Sequence, residues 1–102
     1  MKVVAVTACG AGIAHTYMSA EGLKKAAKEA GDEIRVEIQG AMGIEYGLKQ
    51  EEIDAADLVI FASDIGIIGR DRFLNKKIVE VHPGKVIGNP AKTYEEAKSN
   101  AD

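Results

Sequence analysis

The sequence predicts an α/β fold, a three-layer α/β/α sandwich around a four-stranded parallel sheet with predicted order 2-1-3-4. Three observations lead there. Two apolar runs, Val3-Val4-Ala5-Val6-Thr7-Ala8 and Leu58-Val59-Ile60-Phe61-Ala62, are nearly continuous, as in strands covered on both faces. Two other runs alternate with charge or are broken by it, as at the edges of a sheet. Segments with helical spacing lie between them, without internal repeats or low-complexity stretches. The 102 residues, 46% of them hydrophobic, fit one domain spanning 1–102 and are too few for a second.

Taken in order, residues 3–8 form the first strand, in the middle of the sheet. The opening Met1-Lys2-Val3-Val4-Ala5-Val6-Thr7-Ala8-Cys9 imitates a lipoprotein signal, but its apolar stretch is shorter than the ~7 to 15 residues such a region needs. From about residue 13 to residue 30, Ile13, Tyr17, Ala20, Leu23, Ala27 and Ala30 recur at three or four positions, and Gly31-Asp32 stops that helix. Tyr17, Met18 and Leu23 read as core or interface. Ile34, Val36 and Ile38 alternate with Glu33, Arg35 and Glu37, giving a second strand at an edge. Gln50-Glu51-Glu52-Ile53-Asp54-Ala55 is a short helix, and residues 58–62 are the second central strand. Residues 70–74 are another short helical candidate, and Ile78-Val79-Glu80-Val81 is the opposite edge strand. His82-Pro83 reads as a turn with His82 at the surface, and Pro90 opens a last helix to about Ser99.

Composition excludes several functions. A formal net charge of -3 is the wrong sign for a general affinity for nucleic acid or anionic lipid, so no nucleic-acid partner is expected. The small basic clusters Arg70-Asp71-Arg72 and Lys76-Lys77 read as solvated surface. One cysteine forms no internal disulfide and suits a reducing, cytoplasmic location. Two isolated histidines offer no ligand pair at zinc-like spacing, so neither a metal nor a cofactor is expected. No apolar run approaches the ~20 residues of a spanning helix, so a membrane role has to come through a partner.

In an open parallel sheet, ligands bind beyond the carboxyl ends of the strands where the chain reverses its winding, here between the two central strands. Two loops meet there. One is Cys9-Gly10-Ala11-Gly12-Ile13-Ala14-His15-Thr16 and the other is Ser63-Asp64-Ile65-Gly66. Gly10 and Gly12 allow successive N–H groups to converge with the helix start on an anion. The same field favours a thiolate, because a cysteine at a helix N-terminus is a nucleophile near neutral pH. Spacing alone leaves the bland alternative open, in which Cys9 is a small apolar residue at a strand end and the glycines only turn the chain. The loop lacks the Lys-Ser/Thr of a nucleotide-binding P-loop, and His15 stands where a G-x-G-x-x-G fingerprint needs its last glycine.

The segment Cys9-Gly10-Ala11-Gly12-Ile13-Ala14-His15-Thr16 resembles the C-P-T-G-I-A-H-T loop of fructose-type B domains (EIIB) of the sugar phosphotransferase system. Glu37-Ile38-Gln39-Gly40-Ala41-Met42-Gly43 resembles their E-x-Q-G-x-x-G segment, correctly ordered and spaced. The similarity runs over roughly residues 2–82. It implies that Cys9 accepts phosphate from a phosphohistidine on an A component (EIIA) and passes it to a sugar, fructose by family, held by a membrane-embedded C component (EIIC). It implies a phosphate-binding loop made of Gly10, Ala11, Gly12, Ile13, Ala14, His15 and Thr16. Gly10 and Ala11 depart from the usual Pro-Thr, which removes a rigid first turn and a hydroxyl while keeping the backbone donors.

Two other functions compete. The low-molecular-weight tyrosine phosphatases share a loop cysteine after the first strand, but their C-x5-R loop ends in a phosphate-clamping arginine where this chain has His15, and no Asp-Pro acid is present. A regulatory B-like module that accepts phosphate or docks a partner as a signal is the non-enzymatic alternative. Supporting residues stay open between roles. His15 touches the phosphoryl group or caps the helix. Thr16 donates to phosphate or to local backbone. Asp64 orients His15, binds a partner or caps a turn. Gln39 makes loop or partner contacts or ends its strand. Ile13, Tyr17 and Ile44 are the candidates for an apolar docking rim around Cys9.

Overall fold

The computed structural model describes residues 1–10, 13–40 and 43–100. The first apolar run forms β1 (Lys2–Ala8), buried from its second residue to its last. It lies in parallel between β2 (Glu33–Gly40) and β4 (Leu58–Ser63), with Ala5 level with Val36 on one side and Ile60 on the other. β5 (Ile78–Val81) continues the parallel array beyond β4.

The parallel strands follow the expected order, but the sheet is not four-stranded. A fifth strand, β3 (Gly43–Glu45), runs antiparallel along β2 and makes the order β3-β2-β1-β4-β5. The second strand is therefore interior at its carboxyl half, where an edge was expected. Three residues are too few to display a period-two pattern, which is why β3 is silent in the sequence.

Helices cover both faces. On one, α1 (Ile13–Glu29), α3 (Pro83–Gly88) and α4 (Pro90–Asn100) bring Leu23, Val86 and Tyr94 against Val3, Ala5 and Ile60. On the other, α2 (Gln50–Ala55) and a 3-10 turn at Arg70–Phe73 bring Ile53 and Phe73 against Val4, Val6 and Phe61. The Phe61 and Phe73 rings meet edge to face with centroids 5.0 Å apart. Each such side chain contributes about 1.5 to 3 kcal/mol by leaving water, so these two clusters hold the layers together.

The helix ends follow local chemistry. Gly31 N–H donates to Lys28 O and Asp32 N–H to Ala27 O, closing α1 where Gly31-Asp32 was expected to stop it. Asp32 then accepts from Tyr94 Oη at 2.7 Å and from Lys98 Nζ at 2.8 Å, tying α4 to the end of α1. At His82-Pro83 the expected turn is instead the start of α3. Pro83 occupies the first helical turn, and exposed His82 accepts the Gly84 N–H on its Nδ1 at 3.0 Å. Lys76 also departs from the surface reading, since its Nζ donates to Asp54 O and Ala56 O at the end of α2.

Because α1 and α2 lie on opposite faces, the chain winds one way from β1 and the other way into β4. The carboxyl ends of β1 and β4 flank the resulting crevice.

Candidate functional site

Ala8 is level with Ser63 in the β1–β4 ladder, so Cys9 and Asp64 leave the sheet side by side. The Gly10 N–H donates to Asp64 Oδ1 at 2.8 Å. Cys9 Sγ lies 3.6 Å from Asp64 Oδ2, toward which its S–H points, and 4.0 Å from His15 Nδ1. The sulfur is half-buried and opens into a cavity of about 340 Å³ lined also by Gly10, Thr16, Gln39, Ile44 and Ile68. A larger cavity, about 750 Å³, lies at the amino ends of the strands around Lys2, Arg35 and Glu52, away from the thiol.

The structure thus brings Cys9, Gly10, His15, Thr16, Gln39 and Asp64 to one crevice. His15 and Ala14 are exposed in the first turn of α1, whereas Thr16 is buried beneath the cavity. Ala11 and Gly12 lie outside the described residues, as does the side chain of Ile13. Of the expected cradle, the Gly10 amide has a partner within the chain, the Asp64 carboxylate. That N–H, together with the Cys9 thiol and the backbone N–H of Asp64 itself, holds the Asp64 carboxyl below its ordinary value, so Asp64 is an anion at neutral pH. Gly10 packs closely: a Cβ there would sit 3.2 Å from Cγ2 of the exposed Ile65, which would have to shift slightly to admit it.

The opposite wall, residues 65–69, is fixed by a network that the surface reading of Arg70-Asp71-Arg72 misses. Gln39 clasps Ile68 at both ends of its side-chain amide, donating from Nε2 to Ile68 O and accepting the Ile68 N–H on Oε1, each at 2.9 Å. Its Nε2 also donates to Glu37 Oε2 at 2.7 Å. Glu37 is fully buried and takes two parallel bonds from the Arg72 guanidinium, and its Oε1 accepts the Leu48 N–H as well. Burial by itself pushes the Glu37 carboxyl up, but the bonds from Arg72, Gln39 and Leu48 outweigh it and leave the group below its ordinary value. Gly69 has φ +74, and a Cβ there would be 2.7 Å from Arg72 Nε, so the position needs glycine for both backbone and space.

One sequence signal points to this network. Glu37 and Gln39 stand two apart, hence on one face, in a strand half otherwise apolar. The rim differs in part from expectation. Ile44 borders the cavity, whereas Tyr17 packs against the core with its hydroxyl donating to Glu45, and exposed Ile65 and Ile68 also line the cavity.

Among the described residues no helix is long and apolar enough to cross a membrane. A family model described as "PTS system, Lactose/Cellobiose specific IIB subunit" matches residues 4–96. The chain is 52% identical over 81 residues to the PTS system fructose-like EIIB component 2 of Escherichia coli (strain K12), covering 79% of this chain and 76% of that protein. It is 42% identical over 100 residues to the PTS system fructose-specific EIIB'BC component of Vibrio cholerae, covering 98% of this chain and 17% of that longer protein. The crystal structure of a domain from the fructose-specific IIABC component of Borrelia burgdorferi superimposes with a TM-score of 0.87 at 42% identity, covering 99% of this chain and 95% of that one. With the fold, the crevice and the two sequence segments all in agreement, the chain belongs to the fructose-like EIIB components of the sugar phosphotransferase system, which are phosphoryl-transfer proteins.

Proposed function

We propose that residues 1–102 form a single EIIB domain that carries a phosphoryl group on Cys9 Sγ, on the cytoplasmic side of the membrane, between the phosphohistidine of EIIA and a sugar bound by EIIC. The observation that supports this most directly is the placement of the chain's one thiol, half-buried yet open to a cavity at the topological switch point. The Cys9 sulfur attacks phosphorus in line, the S–P bond forming as the N–P bond of the donor breaks, and the thiol proton ends on the imidazole nitrogen that lost phosphorus. A sugar hydroxyl then attacks phosphorus, the O–P bond forming as the S–P bond breaks, and the hydroxyl proton returns to the Cys9 sulfur. Loop amides stabilise the equatorial oxygens, and His15, whose Nδ1 lies 4.0 Å from the sulfur, donates to them when that nitrogen carries a proton.

Fructose is the proposed sugar, on the strength of the fructose-like and fructose-specific relatives, although the family model's description speaks of lactose and cellobiose. His15 at the end of the loop, in place of a bidentate arginine, favours a carrier over a phosphatase. The test is a reconstituted relay from phosphoenolpyruvate through EIIA, with mass spectrometry locating the phosphoryl group. Label on Cys9 and its absence in Cys9→Ser are expected; label on His15 or His82 would overturn the assignment.

A further inference from the structure

The Asp64 carboxylate is bound at the first amide after the thiol: it accepts the Gly10 N–H at 2.8 Å and faces Cys9 Sγ at 3.6 Å. We propose that Asp64 is an anionic placeholder that is displaced when Cys9 is phosphorylated, and that its charge raises the phosphoryl-transfer potential of the phosphocysteine. This inference rests on the reading of Cys9 as the carrier.

Three observations support it. A phosphoryl group brings about two negative charges at neutral pH, and one N–H cannot serve it and a carboxylate together at full strength. Asp64 is exposed and begins a loop with Ile65 and Gly66 also exposed, so it has room to swing away. The bond is possible because position 10 is not proline, which stands there in the motif this loop resembles and has no N–H to donate. While the thiol is empty, the carboxylate keeps the Gly10 amide oriented and the crevice in shape. Once the S–P bond forms, repulsion between Asp64 and the phosphoryl oxygens makes the phosphocysteine a readier donor without adding a group that activates water.

The experiment is the equilibrium distribution of phosphoryl groups between EIIA and this protein, for the parent and Asp64→Asn, at equal concentrations. Asparagine keeps an acceptor for the Gly10 N–H, removes the charge and places an NH2 where Oδ2 faced the sulfur. The distribution is expected to move toward phosphorylated Cys9 by a few-fold, the order set by like charges several ångströms apart in watery surroundings. A ratio unchanged within error, with Cys9 still labelled, overturns the placeholder and leaves the carrier assignment standing; absence of label on Cys9 in the parent defeats that assignment instead. A second measurement uses the parent alone. On phosphorylation the Gly10 amide and Asp64 carboxyl resonances are expected to shift together as their bond breaks, and a persisting Gly10–Asp64 bond in the phosphorylated protein refutes the proposal.

Discussion

Arg72 closes on Glu37 through two parallel hydrogen bonds, Nη1 to Oε1 and Nη2 to Oε2, each 2.8 Å long, inside the wall of the Cys9 crevice. The carboxylate is fully buried and the guanidinium mostly so. Through Gln39, this pair sets the position of Ile68 beside the thiol.

Removing one partner strands the other. Arg72→Ala is expected to lower unfolding free energy by about 3 kcal/mol, since it leaves a buried carboxylate without its charge partner. Arg70, two residues away, pairs with Glu80 at 3.0 Å with both side chains more than half exposed, and Arg70→Ala is expected to cost less than about 1 kcal/mol. Urea denaturation of the two variants separates a buried pair from a surface one.

Asp32 links stability to acid. Its bonds from Lys98 and then Tyr94 hold its carboxyl down to about 2 in the folded chain. In the unfolded chain an aspartate titrates near ~3.9, so the contribution is complete above that value and is lost as pH falls toward the folded one. The gap in urea midpoint between the parent and Asp32→Asn is therefore expected to be wide at pH 6 and to close as pH approaches 2. A gap that stays constant over that range would show that the bonds do not favour the ionised form.

Gly10→Pro removes the first cause of the depressed Asp64 titration, the N–H of residue 10. Loss of a bond to the charged form raises a carboxyl's pKa. Asp64 is accordingly expected to titrate higher in Gly10→Pro than in the parent when followed by its carboxyl carbon resonance. An unmoved titration would mean that other groups hold the carboxylate.

Local pattern carried much of this molecule. The unbroken apolar runs of residues 3–8 and 58–62 gave the central strands, the recurrence of Tyr17, Ala20, Leu23 and Ala27 gave α1, and Gly31 and Pro90 marked helix ends. Each is a property of neighbouring residues, because a strand or helix repeats within a few positions. The same patterns placed Cys9 at the switch point, since topology rules leave few ways to arrange four parallel strands.

What the sequence by itself determined is the α/β class, the parallel order, the thiol at the crevice and, through the resemblance of two segments, the family. Only the tertiary structure decided that Glu37 is buried on Arg72, that Gln39 grips Ile68, that β3 shields β2 and that Asp64 holds the Gly10 amide. Partners 29 to 54 residues apart in three of these cases meet only after the sheet has formed, so no local period records them. A charge in an alternating strand looks alike whether water or a guanidinium waits on its face; the fold supplies the guanidinium.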